Sequence, residues 1–166
     1  MKHGMVVGLV ACVAFAGALP ALAQTAGPGK PPVIGMDPAA AEAGAYRLDM
    51  RHNSLIARVK HLGLGFTAVR FDKVSGTLDW NPADIGAAKV NITIDPKLIS
   101  TNVPDGLGGG TFAQQIAGPQ FLDAYTFPTA TFVSTKVTKT DASHGTIEGN
   151  LTLHGVTKPV VLQMEG

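Results

Sequence analysis

From Ile147 to Met164 the chain alternates apolar and polar side chains on either side of a short polar break. Ile147, Gly149, Leu151 and Leu153 share one register, and Val160, Leu162 and Met164 resume it after a turn at His154 to Thr157. Successive residues of an extended backbone point to opposite faces, so a period of two marks a strand with one face buried. Two such runs joined by a turn predict a β-hairpin. Thr152 and His154 fall on the opposite register. Pro159 has no N–H to donate to a ladder, so its strand lies at a sheet edge or begins there.

The same period recurs upstream. Leu48 and Met50 alternate with Arg47 and Asp49; after a break at His52-Asn53, Leu55, Ala57, Val59 and His61 oppose Ile56, Arg58 and Lys60. The charges fix the wet face and leave His61 on the inner register at the far end of its strand. Gly63 and Gly65 permit a sharp bend or bulge. Val69 and Phe71, then Val74, Leu78 and Trp80, carry two more extended segments towards Asn81-Pro82, and Val90, Ile92 and Ile94 form the next. Between Leu98 and Tyr125 the strand pattern stops. Within that insert 104–110 is glycine-rich, and Thr111 to Ile116 predicts a short helix capped by Thr111 and stopped by Gly118-Pro119. Strand returns at Thr129 to Val137, with a turn at Asp141 to His144 before the final hairpin. The expected fold class is all-β and antiparallel with a short helical insert, and one long insert in such an array is the natural lid or mouth segment.

The start of the chain reads differently. Lys2, the apolar run Met5 to Leu19 and Ala21-Leu22-Ala23 have the charged, hydrophobic and small-residue order of a secretory signal peptide. Residues 1–23 are therefore expected to be removed, 24–44 to form a Pro/Gly/Ala-rich flexible leader, and 45–166 to form the domain, with a periplasmic location. The run is short and broken by Gly and Pro for a membrane span. Cys12, the only cysteine, lies in it, so the mature chain has no disulfide, thiolate or cysteine-based metal site. Leu9 to Cys12 resembles a lipoprotein processing box, but the residues after Cys12 stay apolar up to Ala23 where a tethered chain turns polar.

With 166 residues, 45% hydrophobic content and 13 basic against 12 acidic residues, the chain suits one domain with its own core. The basic residues are scattered singly, which argues against nucleic acid as a partner. Asp49, His52 and Ser54 supply the residue types of an acyl-transfer triad, but neighbours on one extended segment do not converge on one atom. They are read as satisfying the bend after the first strand. His52, His61, His144 and His154 sit in separate segments without ligand spacing, so no metal site and no catalytic residues are expected.

YRLD (46–49), HNS (52–54), VKHLG (59–63), SGTLDW (75–80), FLDAYTFPTATFVSTKV (121–137) and LTLHGVTKPVVL (151–162) occur in an order that resembles the YceI-like family of bacterial periplasmic proteins. The resemblance implies a lipocalin-like antiparallel β-barrel around an elongated apolar cavity that holds a polyisoprenoid chain. Combined with the register, it makes Leu55, Val59, Leu78, Val90, Ile92, Leu151, Leu153, Val160 and Leu162 the expected cavity wall, with Phe121 and Phe127 near the insert. His61 is either aimed at the polar end of the ligand or bonded within the core. Alternation tells which side chains face inward, not whether they touch each other or a ligand. No cofactor is expected beyond a non-covalent isoprenoid lipid. Family members continue past this hairpin with closing strands, whereas this sequence stops at Gly166. The expectation is a barrel incomplete at its C-terminus, with weak stability or a homodimer through the open edge. The insert also departs from the family: Phe112-Ala-Gln-Gln-Ile116 stands where many relatives carry charges. Functionally the sequence favours isoprenoid binding for carriage, storage or stress response. Its alternative is a non-enzymatic module docking a membrane redox or envelope protein, and an enzyme acting on a lipid or quinone head ranks last.

Overall fold

The computed structural model describes residues 8–12, 15–16, 40–103 and 111–165. Its strands are β1 (Gly8–Cys12), β2 (Phe15–Ala16), β3 (Gly44–Leu48), β4 (Ser54–His61), β5 (Gly65–Phe71), β6 (Val74–Trp80), β7 (Lys89–Ile94), β8 (Ile99–Thr101), β9 (Ala130–Lys139), β10 (His144–Leu153) and β11 (Val156–Glu165). Among the described residues one α-helix, α1 (Phe112–Ala117), interrupts them. All pairings are antiparallel. A four-stranded sheet runs β1-β4-β5-β8 and a seven-stranded sheet runs β11-β10-β9-β7-β6-β3-β2. Among the described residues the two sheets do not close into one barrel. β1 and β2 fall within the stretch read as a signal peptide, where they pair with β4 and β3. Most of the expected leader, 24–39, lies outside the described residues, as does the glycine-rich 104–110.

The final hairpin forms, with Ile147 opposite Leu162, Gly149 opposite Val160 and Leu153 opposite Val156, so Val156 and Thr157, read as part of the turn, belong to the strand. Its turn is the two residues His154 and Gly155, both at positive φ (53° and 71°), the twist that suits a tight hairpin. Pro159 sits on β11, which pairs only with β10 among the described strands and so leaves the missing N–H unasked for.

Two expectations are corrected. Met50, read as the last apolar position of the first strand, lies in a turn and is 61% exposed. The strand stops at Leu48 because the Asp49 carboxylate accepts the Arg51 N–H (2.9 Å) and folds the chain over. The stretch after Leu98 holds a strand where none was expected: β8 pairs Ile99 to Thr101 with Phe71 to Val69.

Leu48, Leu55, Phe71, Val74, Ile94 and Ala130 form the buried core, with Ala57, Ile92, Ile99, Leu122 and Leu153 packed against it. The strand ends place this cluster. β3, β5 and β7 finish there, β4, β6 and β9 start there, and β10 finishes there too. The core therefore fills one end of the space between the sheets.

Candidate ligand-binding site

The inner face of the larger sheet can be followed across its ladders. Leu78 lies opposite Val90, Gly76 opposite Ile92, Ile92 opposite Phe132, and Phe132 opposite Leu151. Gly149 then faces Val160 and Ile147 faces Leu162. On the smaller sheet Leu55 pairs with Phe71, Ala57 with Val69 and Val59 with Thr67. Every cavity-wall residue expected on a strand thus stands on one of the two inner faces, and the burial of Leu48, Leu55 and Phe71 with Val74, Ile94 and Ala130 shows that these faces meet.

Glycines make room for the larger neighbours. A Cβ on Gly149 would stand 2.4 Å from Phe132 Cζ, and one on Gly76 would stand 2.6 Å from Ile92 Cδ1. Real side chains do not approach so closely, so the Phe132 ring and the Ile92 methyl occupy the space those side chains would need. At this level the interior is filled by protein, and Phe132 is buried at 4% exposure.

The part of the insert at 111–125 lies at the core end. Thr111 caps α1 by accepting the Gln114 N–H (3.1 Å) while Gln114 Oε1 accepts the Thr111 N–H (3.0 Å), a reciprocal box that satisfies two otherwise orphaned donors. The chain then folds back on the helix through Leu122 N–H to Ile116 O (3.0 Å) and Ala124 N–H to Ala117 O (2.9 Å). Leu122 reaches the core cluster, and the Phe127 ring meets the His154 ring edge-on at 4.6 Å. A Cβ at Gly155 would fall 2.6 Å from Phe127 Cε1. The terminal hairpin turn and the insert are therefore fitted to each other. Of the two phenylalanines expected near the insert, Phe127 makes this contact, while Phe121 is 55% exposed.

Away from the insert the inner faces open. Along β4 the inner positions go from Leu55, buried, through half-buried Ala57 to Val59, 39% exposed, and end at exposed His61. Along β6, buried Val74 gives way to half-buried Leu78 and Trp80. Leu151, Leu153, Val160 and Leu162 are half-buried, whereas Val90, like Ala88 and Val137, is buried outside the main core cluster. The arrangement is a trough, packed beneath the insert and accessible at the end where His61 and Trp80 stand. Trp80 Nε1 is enclosed yet has no hydrogen-bond partner among the described residues. The sequence places Trp80 on the same extended segment as Val74 and Leu78, but the state of its N–H is not legible there. Two shallow surface depressions lie elsewhere, one beside Lys73 and Asp95 and one beside Lys89 and Val133.

The polar residues that suggest chemistry form local turns. His52 Nδ1 lies 2.7 Å from Asp49 Oδ2, and Asn53 Nδ2 donates to Asp49 O at 2.8 Å. The Arg51 backbone N–H and the His52 ring hold the Asp49 carboxyl down to about 2, with the Arg51 guanidinium adding to the effect. Ser54 takes no part in this network among the described residues. Asp141 does the same for the β9–β10 turn: its carboxylate accepts the Ser143 and His144 N–H groups (2.8 and 2.9 Å) and meets His144 Nδ1 at 2.9 Å. The pair lowers the Asp141 pKa, chiefly through the Ser143 N–H, and raises that of His144 through the carboxylate. These carboxylates are turn-forming acceptors. Among the described residues no group of three or more His, Cys, Asp or Glu side chains is placed to hold a metal ion.

Two antiparallel sheets with apolar inner faces, a plug of chain at one end and an opening at the other define a β-sheet scaffold of the ligand-binding type. The comparisons make it particular. Residues 46–166 match the YceI-like domain model, and the chain belongs to that family. It is 37% identical over 130 residues to a UPF0312 protein of Vibrio vulnificus, an alignment covering 77% of this chain and 66% of the relative. A UPF0312 protein of Vibrio cholerae is 35% identical over the same length and shares. The chain thus spans 66% of the length of these relatives. Among solved structures, BcnA of Burkholderia cenocepacia superposes with a TM-score of 0.60 at 25% identity, over 69% of this chain and 68% of that one. The YCEI protein of Campylobacter jejuni gives 0.54 at 28% identity, over 64% and 59%. Membership in this family supports a binding-protein role.

Proposed function

We propose that this protein is an exported, periplasmic binding protein that holds the prenyl tail of an amphipathic isoprenoid lipid non-covalently between its sheets, for carriage or storage and without acting on it chemically. The observation that carries the reading is the apolar register running from Leu78 through Ile92, Phe132 and Leu151 to Val160 and Leu162, opposite Leu55, Ala57 and Val59, which opens towards one end. Each CH₂ taken from water contributes roughly 0.8 kcal/mol, so a long methyl-branched prenyl tail supplies affinity without a charged contact. Selectivity then belongs to the head. The enclosed Trp80 N–H is a donor awaiting an acceptor, and leaving it unpaired costs about 1–3 kcal/mol. A hydroxyl or quinone oxygen at the open end would accept it, with His61 exposed at the same end. The charged, apolar and Ala-x-Ala order of residues 1–23 supports export.

The test is uptake of a polyprenol by the purified chain, followed by native mass spectrometry, for the wild type and for Leu78→Gln and Leu162→Gln. Each polar replacement on the inner face is expected to weaken binding about tenfold. Trp80→Phe should weaken binding of the polyprenol but not of the matching hydrocarbon. Undiminished binding by both glutamine variants would contradict the reading.

A further inference from the structure

The β4–β5 hairpin carries a feature that the apolar trough does not use. It turns over Leu62 and Gly63, both at positive φ (50° and 78°), and closes with Leu64 N–H donating to His61 O at 3.0 Å. This is a tight, ordered turn, yet the side chains at its tip are apolar. Leu62 is 81% exposed, Leu64 92% and Phe66 56%. Single exposed apolar residues are ordinary, but three large ones within five positions of a hairpin tip form a patch with a use.

The surroundings of the tip say what covers it. The outer register behind it holds Arg58 and Lys60. The Arg58 guanidinium lies 4.6 Å from the Phe66 ring centroid, and Lys60 is the cross-strand partner of Phe66. Neither cation forms an ion pair with a described residue. From Leu55 to Phe71 there is no Asp or Glu at all. The apolar atoms are foremost, and Lys60 stands two residues before Leu62, about 7 Å back from the tip. That order matches a phospholipid surface, where apolar side chains enter the interface and cations meet the phosphates.

We propose that the β4–β5 hairpin tip docks on an anionic phospholipid bilayer, with Leu62, Leu64 and Phe66 in the interface and Arg58 and Lys60 on the lipid phosphates. The tip stands at the end where β4 finishes and β5 begins, which is the open end of the trough. Docking therefore turns the opening towards the membrane. Docking itself rests on the tip alone; only the idea that a lipid then passes into the protein rests on the proposed function.

Flotation of the full chain with vesicles of phosphatidylcholine, alone or mixed with phosphatidylglycerol, tests this. The wild type is expected to float with the mixed vesicles and to come off as salt rises. Leu62→Ser/Leu64→Ser should lower vesicle affinity by at least about tenfold. Arg58→Gln/Lys60→Gln should lower it about fivefold per cation removed and flatten the salt dependence. All four side chains are surface groups, and unchanged circular dichroism and unfolding midpoints would confirm intact folding. Comparing variants of one chain form holds any contribution of residues 1–39 constant. As an independent readout, a tryptophan placed by Leu64→Trp should be quenched by brominated lipids. Vesicle binding equal to wild type in the serine variant, or no binding by the wild type, overturns the proposal. So does a serine variant that only shifts a dimer to monomer, which would assign the tip to a second copy. Retained flotation with lost polyprenol uptake would sink the ligand reading and leave docking standing.

Discussion

Replacing Gly149 by alanine asks whether the interior at that level is filled by protein. A Cβ there would lie 2.4 Å and 2.5 Å from Phe132 Cζ and Cε2 and 2.6 Å from the Val133 carbonyl oxygen. Forcing one carbon into a packed site costs about 1–3 kcal/mol, and the middle of that range is expected because one of the obstacles is backbone. Phe132→Leu removes the two ring atoms nearest to Gly149 and by itself costs about 1 kcal/mol as a partly collapsed cavity. If the ring is the main obstacle, the two changes relieve one another. The double variant should then be more stable than the sum predicts by about 1 kcal/mol, the remaining strain being that against the Val133 oxygen. The assay is a double-mutant cycle in urea, followed by the fluorescence of Trp80, the only tryptophan, with equal m-values required of all four proteins. Additivity within about 0.5 kcal/mol would refute the reasoning. It would mean that the Phe132 ring is not the obstacle to a side chain at position 149.

Gly155→Val places a branched side chain at positive φ against Phe127; it should cost at least about 2 kcal/mol and speed amide hydrogen exchange at Ala124 and Phe127, where the insert lies on the hairpin. Thr111→Val removes the helix cap and should cost about 1 kcal/mol, with exchange rising in 112–117 and little change in the sheets. Asp141→Asn should return the His144 pKa, read by NMR titration, towards its ordinary value of 6.5. Since folding raises that pKa, the stabilisation is present below the unfolded value and fades as pH rises through the folded one. Asp49 behaves oppositely: its pKa falls from 3.8 to about 2, so its contribution is full above 3.8 and is lost as pH drops through 2. Asp49→Asn should flatten that acid limb of the stability curve.

The sheets were largely legible because a period of two survives in single strands. Leu151 and Leu162, Leu78 and Val90, and Leu55 and Val59 all fall on the faces their registers indicate. Thr111 was legible as a cap because the capping side chain is local. What escaped was short or distant. β8 has only three residues, too few for a period, and exists because β5 offers it a partner. The Phe127–His154 contact joins residues from two elements that no local pattern relates. The end that opens was equally hidden, since it depends on where seven strands start and stop together. The part of the insert at 111–125 packs at the core end, with Leu122 against the core and Phe127, just after it, on the hairpin turn.

The claim at the centre of this account is that the trough holds an isoprenoid lipid, and the most direct measurement is of what the protein already carries. Native mass spectrometry of the chain purified from its native host, followed by organic extraction, should give one prenyl lipid per protein released into the solvent phase. A protein recovered without lipid that also fails to take up polyprenols would contradict it.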